Sequence, residues 1–92
     1  MKLHNKVAVI TGGNSGIGLA IAHEFKSSGA KVVIFGRSQR TLDQAAQTLR
    51  EDAVAVQGDV RKMQDLERLF DETAKTFGKV DVLVANAGIA KF

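Results

Sequence analysis

The 92-residue sequence contains no cysteine and no tyrosine, and it has no long apolar run. The absence of cysteine excludes disulfide bonds and thiolate metal sites, and it fits a reducing cytosol, so a cytoplasmic location is expected. No run approaches the roughly 18 apolar residues that a membrane-spanning helix needs, so no membrane partner is expected. Lys2 and Lys6 lie near the N-terminus, but the apolar segment and cleavage site of a signal peptide are lacking.

A strong excess of one charge is lacking as well. The net charge is +3, with acidic and basic residues interspersed. No basic stripe alternates with aromatic residues, so no nucleic acid partner is expected. His4 and His23 lie far apart and have no metal-ligand spacing, which favours surface positions over metal binding. No nucleophile–base pair or paired carboxylates suggest a hydrolase.

The apolar periodicity predicts strands alternating with helices. The predicted strands are Lys6–Thr11, Lys31–Phe35, Val54–Gln57 and Val80–Ala85, and the predicted helices are Gly16–Ser28, Gln39–Glu51 and Met63–Phe77. Gly29 is expected to follow the first helix in the left-handed conformation, and Gly78 is expected to end the third helix. Apolar strands joined by helices imply an α/β, Rossmann-type doubly wound parallel sheet, in the order 3-2-1-4 and truncated after the fourth strand.

The most informative segment is Thr11–Gly18, with the sequence TGGNSGIG, between the first strand and the first helix. A glycine-rich turn of this kind aims backbone N–H groups and the positive end of a helix at one point, which favours a pyrophosphate. The glycines permit a tight turn, a close approach of phosphate, and close packing of the helix on the strand. The alternative is a loop that only connects the two elements.

The spacing Thr-Gly-x-x-x-Gly-Ile-Gly resembles the cofactor loop of the short-chain dehydrogenase/reductase family. Ala85-Asn86-Ala87-Gly88 is similar to the Asn-Ala-Gly signature of the same family. The resemblance covers residues 1–92, but only the first part of the family's usual length, so these residues are expected to form the N-terminal part of an NAD(P)-binding domain. It implies that the loop binds the cofactor through Gly12, Asn14, Ser15, Gly16, Ile17 and Gly18.

The end of the second strand carries the expected cofactor preference. An acidic residue about 20 positions after the glycines favours NAD, but Gly36 stands in that place and Arg37 follows it. A guanidinium pairs with a 2′-phosphate, so NADP (NADPH) is expected in preference to NAD. Ser38 is expected to add a hydrogen bond, whereas the alternative for Arg37 is a solvated loop charge.

Two further segments are expected to contact the nucleotide by resemblance. Asp59 would accept a hydrogen bond from the adenine amine and Val60 would cover a ring face; alternatively, Asp59 caps the turn toward the third helix. Asn86, Ala87 and Gly88 let the backbone approach the nucleotide, and bracing of the fourth strand is the second role open to Asn86.

The resemblance implies an oxidoreductase that transfers hydride between the nicotinamide and a carbonyl or alcohol substrate. The family's catalytic Ser and Tyr-x-x-x-Lys pair lie beyond residue 92, so the expected catalytic residues are absent and the 92 residues alone are expected to be inactive. A homo-oligomer is the expected assembly. The alternative is a stand-alone, non-catalytic nucleotide-binding module or a fragment.

Overall fold

The chain alternates strands and helices from its first strand to its last. The computed structural model describes residues 2–14 and 16–86. The elements are β1 (Val7–Thr11), α1 (Gly16–Ser27), β2 (Lys31–Gly36), α2 (Gln39–Leu49), β3 (Ala53–Gln57), α3 (Met63–Phe77) and β4 (Val82–Ala85). Every predicted element is present in the predicted order. No helix within these described residues is both long enough and apolar enough to span a bilayer.

The strands form one parallel sheet in the order β3-β2-β1-β4, which confirms the predicted doubly wound arrangement. The chain begins in the middle of the sheet, adds β2 and β3 on one side, and then crosses to β4 on the other side of β1. Because parallel strands end at the same edge, the segments that follow the four strands are brought together there.

Several predicted boundaries were wrong by one or two residues. Helix α2 ends at Leu49 rather than at Glu51, because Arg50 adopts a left-handed φ of 68°. Strand β4 begins at Val82 rather than at Val80. The remaining corrections are that β1 begins at Val7, α1 ends at Ser27, β2 extends to Gly36 and β3 begins at Ala53. Both ends of α3 are confirmed, and so is the left-handed Gly29, with a φ of 94°. Gly78 ends α3 as predicted, and it too is left-handed, with a φ of 84°.

The two faces of the sheet have separate apolar cores. On one face, α1 and α2 pack on the sheet through a buried cluster: Ala8, Ile10, Ala22, Val32, Ile34, Leu42, Ala45 and Leu49. On the other face, Leu69 of α3 packs on Val9, Val33, Phe35 and Val56. Burial of both faces explains the continuous apolar sequences of β1 and β2. Each large side chain removed from water stabilises the fold by about 1.5–3 kcal/mol.

The α3 face is covered less completely beside β4. Leu83 is 53% exposed although it lies within a strand. Together with Thr11, Val60, Ala85 and three residues of α3 it lines an open apolar groove of about 240 Å³. The described residues therefore leave an apolar strip beside the last strand of the sheet.

Asp81 joins the beginning of β4 to the beginning of β1. Its backbone N–H donates to the carbonyl of Val7 at 2.8 Å, and its carboxylate accepts from the N–H of Val7 at 2.8 Å. Lys79 lies 3.2 Å from the same carboxylate oxygen. The hydrogen bond from Val7, followed by the interaction with Lys79, lowers the pKa of Asp81. These contacts also explain why the regular pairing of β4 starts only after Asp81.

We expect Asp81 to make stability depend on pH in the acid range. A lowered pKa in the folded state means that the stabilisation is present above the ordinary value of 3.8 and is lost as the pH falls through the lowered value. Asp81→Asn keeps an acceptor for Val7 but removes the charge. The free energy of unfolding of this variant, measured with denaturant between pH 3 and pH 6, should therefore fall less steeply toward acid than that of the wild type.

Asp71→Asn is the matched control, because Asp71 is an exposed carboxylate on α3. Equal acid slopes for Asp81→Asn and Asp71→Asn would contradict the role given to Asp81.

Candidate functional site

The glycine-rich loop follows β1 at the edge where the strands end. Gly12 and Gly16 have φ values of 67° and 58°, in the left-handed region that favours glycine. The N–H of Gly12 donates to the carbonyl of Phe35 at 2.7 Å, which fixes the start of the loop against β2. A Cβ added to Gly16 would meet no atom within 4 Å among residues 2–14 and 16–86. The loop is therefore bonded to β2 at Gly12 and has free space beside Gly16.

Gly18 permits the close packing of α1 on this loop. A Cβ at Gly18 would lie 1.9 Å from the carbonyl oxygen of Gly12 and 2.8 Å from Nδ2 of Asn86. Any side chain at this position would push the helix away from the loop. Gly18 thus permits close packing of α1 on the loop after β1, where the sequence predicted close packing of the helix on the strand.

The beginning of α1 suits an anion. The first turn of α1 contains no acidic residue, and the N-terminal end of a helix carries the positive end of its dipole. Ile17, the second residue of α1, is 73% exposed, so its side chain leaves the beginning of the helix accessible. Open space, a positive helix end and glycines without side chains together fit a pyrophosphate group. Ser15 lies outside the described residues.

Asn86 links the end of β4 to the glycine-rich loop. Its backbone N–H donates to Oγ1 of Thr11 at 2.9 Å, and its side-chain amide donates to the carbonyl of Gly12 at 3.4 Å. The Thr11 hydroxyl donates in turn to the carbonyl of Val84 at 3.3 Å. The bracing role considered for Asn86 is therefore present, whereas its contact with a nucleotide stays a prediction. Ala87 and Gly88 lie outside the described residues.

The turn between β2 and α2 carries Arg37 and Ser38, and both residues are exposed. Ser38 is the N-cap of α2: its Oγ accepts from the N–H of Thr41 at 3.3 Å. Gln57, at the end of β3, donates from Nε2 to the carbonyl of Arg37 at 3.1 Å. The backbone of Arg37 is thus held by a neighbouring strand, while the residue itself is exposed at the edge that holds the loop.

Asp59 and Val60 follow β3 at the same edge. The Asp59 carboxylate accepts from the N–H of Arg61 at 2.9 Å and from the Arg61 guanidinium at 2.8 Å. The hydrogen bonds from the side chain and then the backbone of Arg61 hold the pKa of Asp59 well below its usual range, and Arg37 adds a smaller electrostatic effect. The structure therefore gives Asp59 a local turn role like the alternative considered above. Val60 lines the apolar groove next to α3.

Three residues near this edge were missed by the sequence analysis: Thr41, Gln57 and Arg61. Ser38 is an N-cap residue type whose oxygen accepts from the N–H two or three residues later, so it points to the backbone of Thr41 but not to the Thr41 hydroxyl. Arg61, two residues after Asp59, matches the local turns that aspartate forms. For Gln57 no sequence signal exists, because its contact depends on the pairing of β2 with β3.

The structure therefore brings together the glycine-rich loop, the Arg37 turn, Asp59 and Asn86. Arg37 and Asp59 are close enough to influence each other electrostatically, and Asn86 touches the loop directly. Within residues 2–14 and 16–86, no group of His, Asp and Glu side chains is arranged to hold a metal ion. A glycine-rich loop, a helix N-terminus and a cationic side chain lie at the same edge of the sheet, and this arrangement suits nucleotide binding.

Comparison with known proteins also points to nucleotide binding. The profile of the short chain dehydrogenase family matches residues 6–92. Oxidoreductase asL5 of Sarocladium schorii is 47% identical over 87 residues, which are 95% of this chain and 35% of that protein. The peroxisomal 2,4-dienoyl-CoA reductase of Arabidopsis thaliana is 43% identical over 93 residues, covering 98% of this chain and 31% of that protein.

Among solved structures, the 3-ketoacyl-(acyl-carrier-protein) reductase of Brucella melitensis, complexed with NADH, superposes with a TM-score of 0.86 at 40% identity. The match covers 88% of this chain and 33% of that one. The chain thus spans about a third of the length of the proteins it matches.

Proposed function

The chain belongs to the short-chain dehydrogenase/reductase family of oxidoreductases, and from this membership and the site geometry we propose that residues 1–92 are the N-terminal, NADP-binding part of such an enzyme. The whole protein would transfer hydride between the nicotinamide cofactor and a carbonyl or alcohol substrate. We propose a homo-oligomeric, cytoplasmic enzyme, as the sequence analysis expected.

The proposal assigns each part of the cofactor to residues at the sheet edge. The pyrophosphate would lie over Gly12, Gly16 and Gly18, with the beginning of α1 supplying N–H donors. Arg37 and Ser38 would bind the 2′-phosphate. Asp59 and Val60 would contact the adenine. The remaining proposed cofactor contacts are Asn14, Ser15 and Ile17 of the glycine-rich loop, and Asn86, Ala87 and Gly88 after β4.

In the proposed reaction, the 92 residues bind the nicotinamide cofactor and orient it. A bound nicotinamide supplies the hydride donor or acceptor. The residues described here hold the phosphate end of the cofactor and fix its direction across the sheet edge. By family resemblance, the proton is handled by a tyrosine, assisted by a lysine and a serine. The 92 residues contain no tyrosine, so that step belongs to other parts of the whole protein.

The observation that carries the NADP proposal is the chemistry at the end of β2. Gly36 and Arg37 stand where a carboxylate would favour NAD, and the carbonyl of Arg37 is held by Gln57 at 3.1 Å. The Arg37 cation lies on a fixed turn at the same sheet edge as the glycine-rich loop, which is the proposed phosphate cradle. This arrangement supports recognition of a second phosphate by Arg37.

A second candidate function is a nucleotide-binding module without catalysis, and the lack of tyrosine in the 92 residues favours it. Both candidates predict that the purified 92-residue chain reduces no carbonyl compound with NADPH. The absorbance of NADPH at 340 nm, followed with a panel of aldehydes and ketones, measures this. Steady turnover above the level of a mock purification would show that tyrosine is not needed.

The full-length protein distinguishes the two candidates. Under the enzyme proposal, it oxidises NADPH in the presence of at least one carbonyl compound of the panel. Tight binding of NADPH without turnover on the whole panel would favour the binding module, and failure to bind either nicotinamide nucleotide would contradict both.

A further inference from the structure

Asn14 of the glycine-rich loop is bonded to the beginning of α2. Its Nδ2 donates to the hydroxyl oxygen of Thr41 at 2.6 Å. The Thr41 hydroxyl donates in turn to the carbonyl of Ser38 at 3.1 Å, and the N–H of Thr41 donates to Oγ of Ser38 at 3.3 Å. Thr41 therefore joins the loop that follows β1 to the turn that follows β2, through residues 27 positions apart in the sequence.

Gly36 provides the room for this link. A Cβ at Gly36 would lie 2.7 Å from Oδ1 and 3.0 Å from Cγ of Asn14. The Asn14 side chain thus lies directly across the end of β2 and occupies the space that any side chain at Gly36 would need. Asn14 and Thr41 are both half-buried, which limits the competition of water for their hydrogen bond.

The opposite side of the same turn is held by β3. Gln57 donates to the carbonyl of Arg37 at 3.1 Å, and the N–H of Gly58 donates to the carbonyl of Gly36 at 2.8 Å. The contacts from β3 fix the turn relative to the sheet, and the N–H of Gly12 fixes the start of the glycine-rich loop against Phe35 at the end of β2. Among the side-chain hydrogen bonds of the described residues, the one from Asn14 to Thr41 joins the rest of the loop to the beginning of α2. That link is therefore a second connection between the glycine-rich loop and the segment that carries Arg37.

We propose that Thr41 is a positioning residue for nucleotide selectivity: through Asn14 it holds the Arg37 turn at the distance from the glycine-rich loop that a ligand with two separate phosphates requires. The inference rests on the proposed function. A nucleotide with only a 5′-phosphate needs the loop alone, so it gains little from the link. A nucleotide with 5′- and 2′-phosphates needs loop and turn together, and preorganisation of the two increases its affinity.

The test compares 2′,5′-ADP with 5′-AMP as ligands of the full-length protein, using isothermal titration calorimetry. Thr41→Val removes the hydroxyl at nearly constant volume. We expect it to reduce the ratio of the two affinities about three- to tenfold, the range that loss of one hydrogen bond produces, with the affinity for 5′-AMP almost unchanged. Thr41→Ser keeps the hydroxyl and should keep the ratio. Thr41→Ala, which suits a helix, provides the same loss of hydroxyl should the valine variant fail to fold.

Thr48→Val is the matched control. Thr48 lies on the same helix, and its hydroxyl donates to the carbonyl of Ala45 at 2.8 Å, away from the glycine-rich loop. In Thr48→Val, the ratio of the affinities for 2′,5′-ADP and 5′-AMP should equal that of the wild type. A ratio within twofold of wild type in Thr41→Val and Thr41→Ala, or an equal loss of both affinities, would overturn the inference while leaving the proposed function intact. A wild-type protein that binds neither nucleotide would overturn the proposed function and the inference with it.

Discussion

Replacement of Arg37 by alanine in the full-length protein is expected to lower the affinity for NADPH about 10- to 100-fold. A charge-assisted hydrogen bond contributes about 1.5–3 kcal/mol, which corresponds to that range of affinity. The affinity for NADH should change little, because NADH has no 2′-phosphate for Arg37 to contact. Dissociation constants for both nucleotides, measured by quenching of nucleotide fluorescence or by calorimetry, give the ratio directly.

The position of Arg37 makes this substitution easy to interpret. Arg37 is exposed, and its link to β3 runs through its backbone carbonyl, which alanine retains. The variant therefore removes the guanidinium without removing the hydrogen bond that holds the turn. A change confined to NADPH would reflect the lost contact with the 2′-phosphate rather than a displaced loop.

Arg40→Ala is the matched control for charge. Arg40 is exposed in the first turn of α2, so its removal changes the net charge equally. We expect a smaller effect than that of Arg37→Ala, because long-range attraction is screened by salt over about 8–10 Å. Equal losses for both variants would mean that Arg37 acts only through the general field, and an unchanged NADPH affinity in Arg37→Ala would contradict the assignment.

The fold could be predicted from the sequence because its signals are local. Apolar strands, amphipathic helices and the glycines at positions 29 and 78 fix the order of elements without knowledge of distant contacts. The wrong boundaries occur where other interactions decide. Arg50 ends α2 by adopting a left-handed φ that its side chain does not suggest. Asp81 delays β4 through hydrogen bonds to Val7, which is 74 positions away in the sequence.

The same distinction applies to the candidate site. The glycine-rich loop was recognisable because strand, loop and helix are contiguous. The contacts of Asn14 with Thr41 and of Gln57 with Arg37 were not, because they join segments 27 and 20 positions apart. Gly36 shows the difference most clearly. From the sequence it is the place where an acidic residue is missing, whereas in the structure it is the residue over which the Asn14 side chain lies.

This position of Asn14 limits how cofactor preference can be redesigned. An acidic residue introduced at Gly36 would meet Asn14 before reaching a ribose, since even its Cβ would lie 2.7 Å from Oδ1 of Asn14. Such a variant would disturb the link to Thr41 together with the cofactor contact. A substitution at Arg37 therefore separates the affinity for NADPH from the affinity for NADH more clearly than a substitution at Gly36 does.

The largest effect on the fold is expected from Gly18→Ala. The added Cβ would lie 1.9 Å from the carbonyl oxygen of Gly12, and contacts under 3.0 Å essentially never occur at a Cβ. The atom in the way belongs to the backbone and cannot rotate aside. The substitution must therefore move α1 away from the loop or deform the loop itself. We expect a loss of stability at or above the upper end of the about 1–3 kcal/mol that overpacking costs.

Nucleotide binding should be weakened in the same variant. The Cβ would also lie 2.8 Å from Nδ2 of Asn86, whose side chain donates to Gly12. Displacement of the loop and of Asn86 together would change the cradle proposed for the pyrophosphate. We therefore expect the affinity for 5′-AMP, which tests the cradle without Arg37, to fall by more than tenfold in calorimetric titrations of the full-length protein.

Gly78→Ala separates a local clash from a general glycine effect. Gly78 ends α3 with a φ of 84°, and a Cβ there would meet no atom within 4 Å in the part of the chain that the structure describes. Its replacement costs about 1–2 kcal/mol through backbone strain alone and leaves the loop after β1 untouched. Denaturant unfolding should give Gly18→Ala a lower free energy of unfolding than Gly78→Ala. Only Gly18→Ala should have a reduced affinity for 5′-AMP. If both variants retain wild-type affinity for 5′-AMP, close packing of α1 on the loop is not required for the cradle, and the pyrophosphate must be sought elsewhere on the sheet edge.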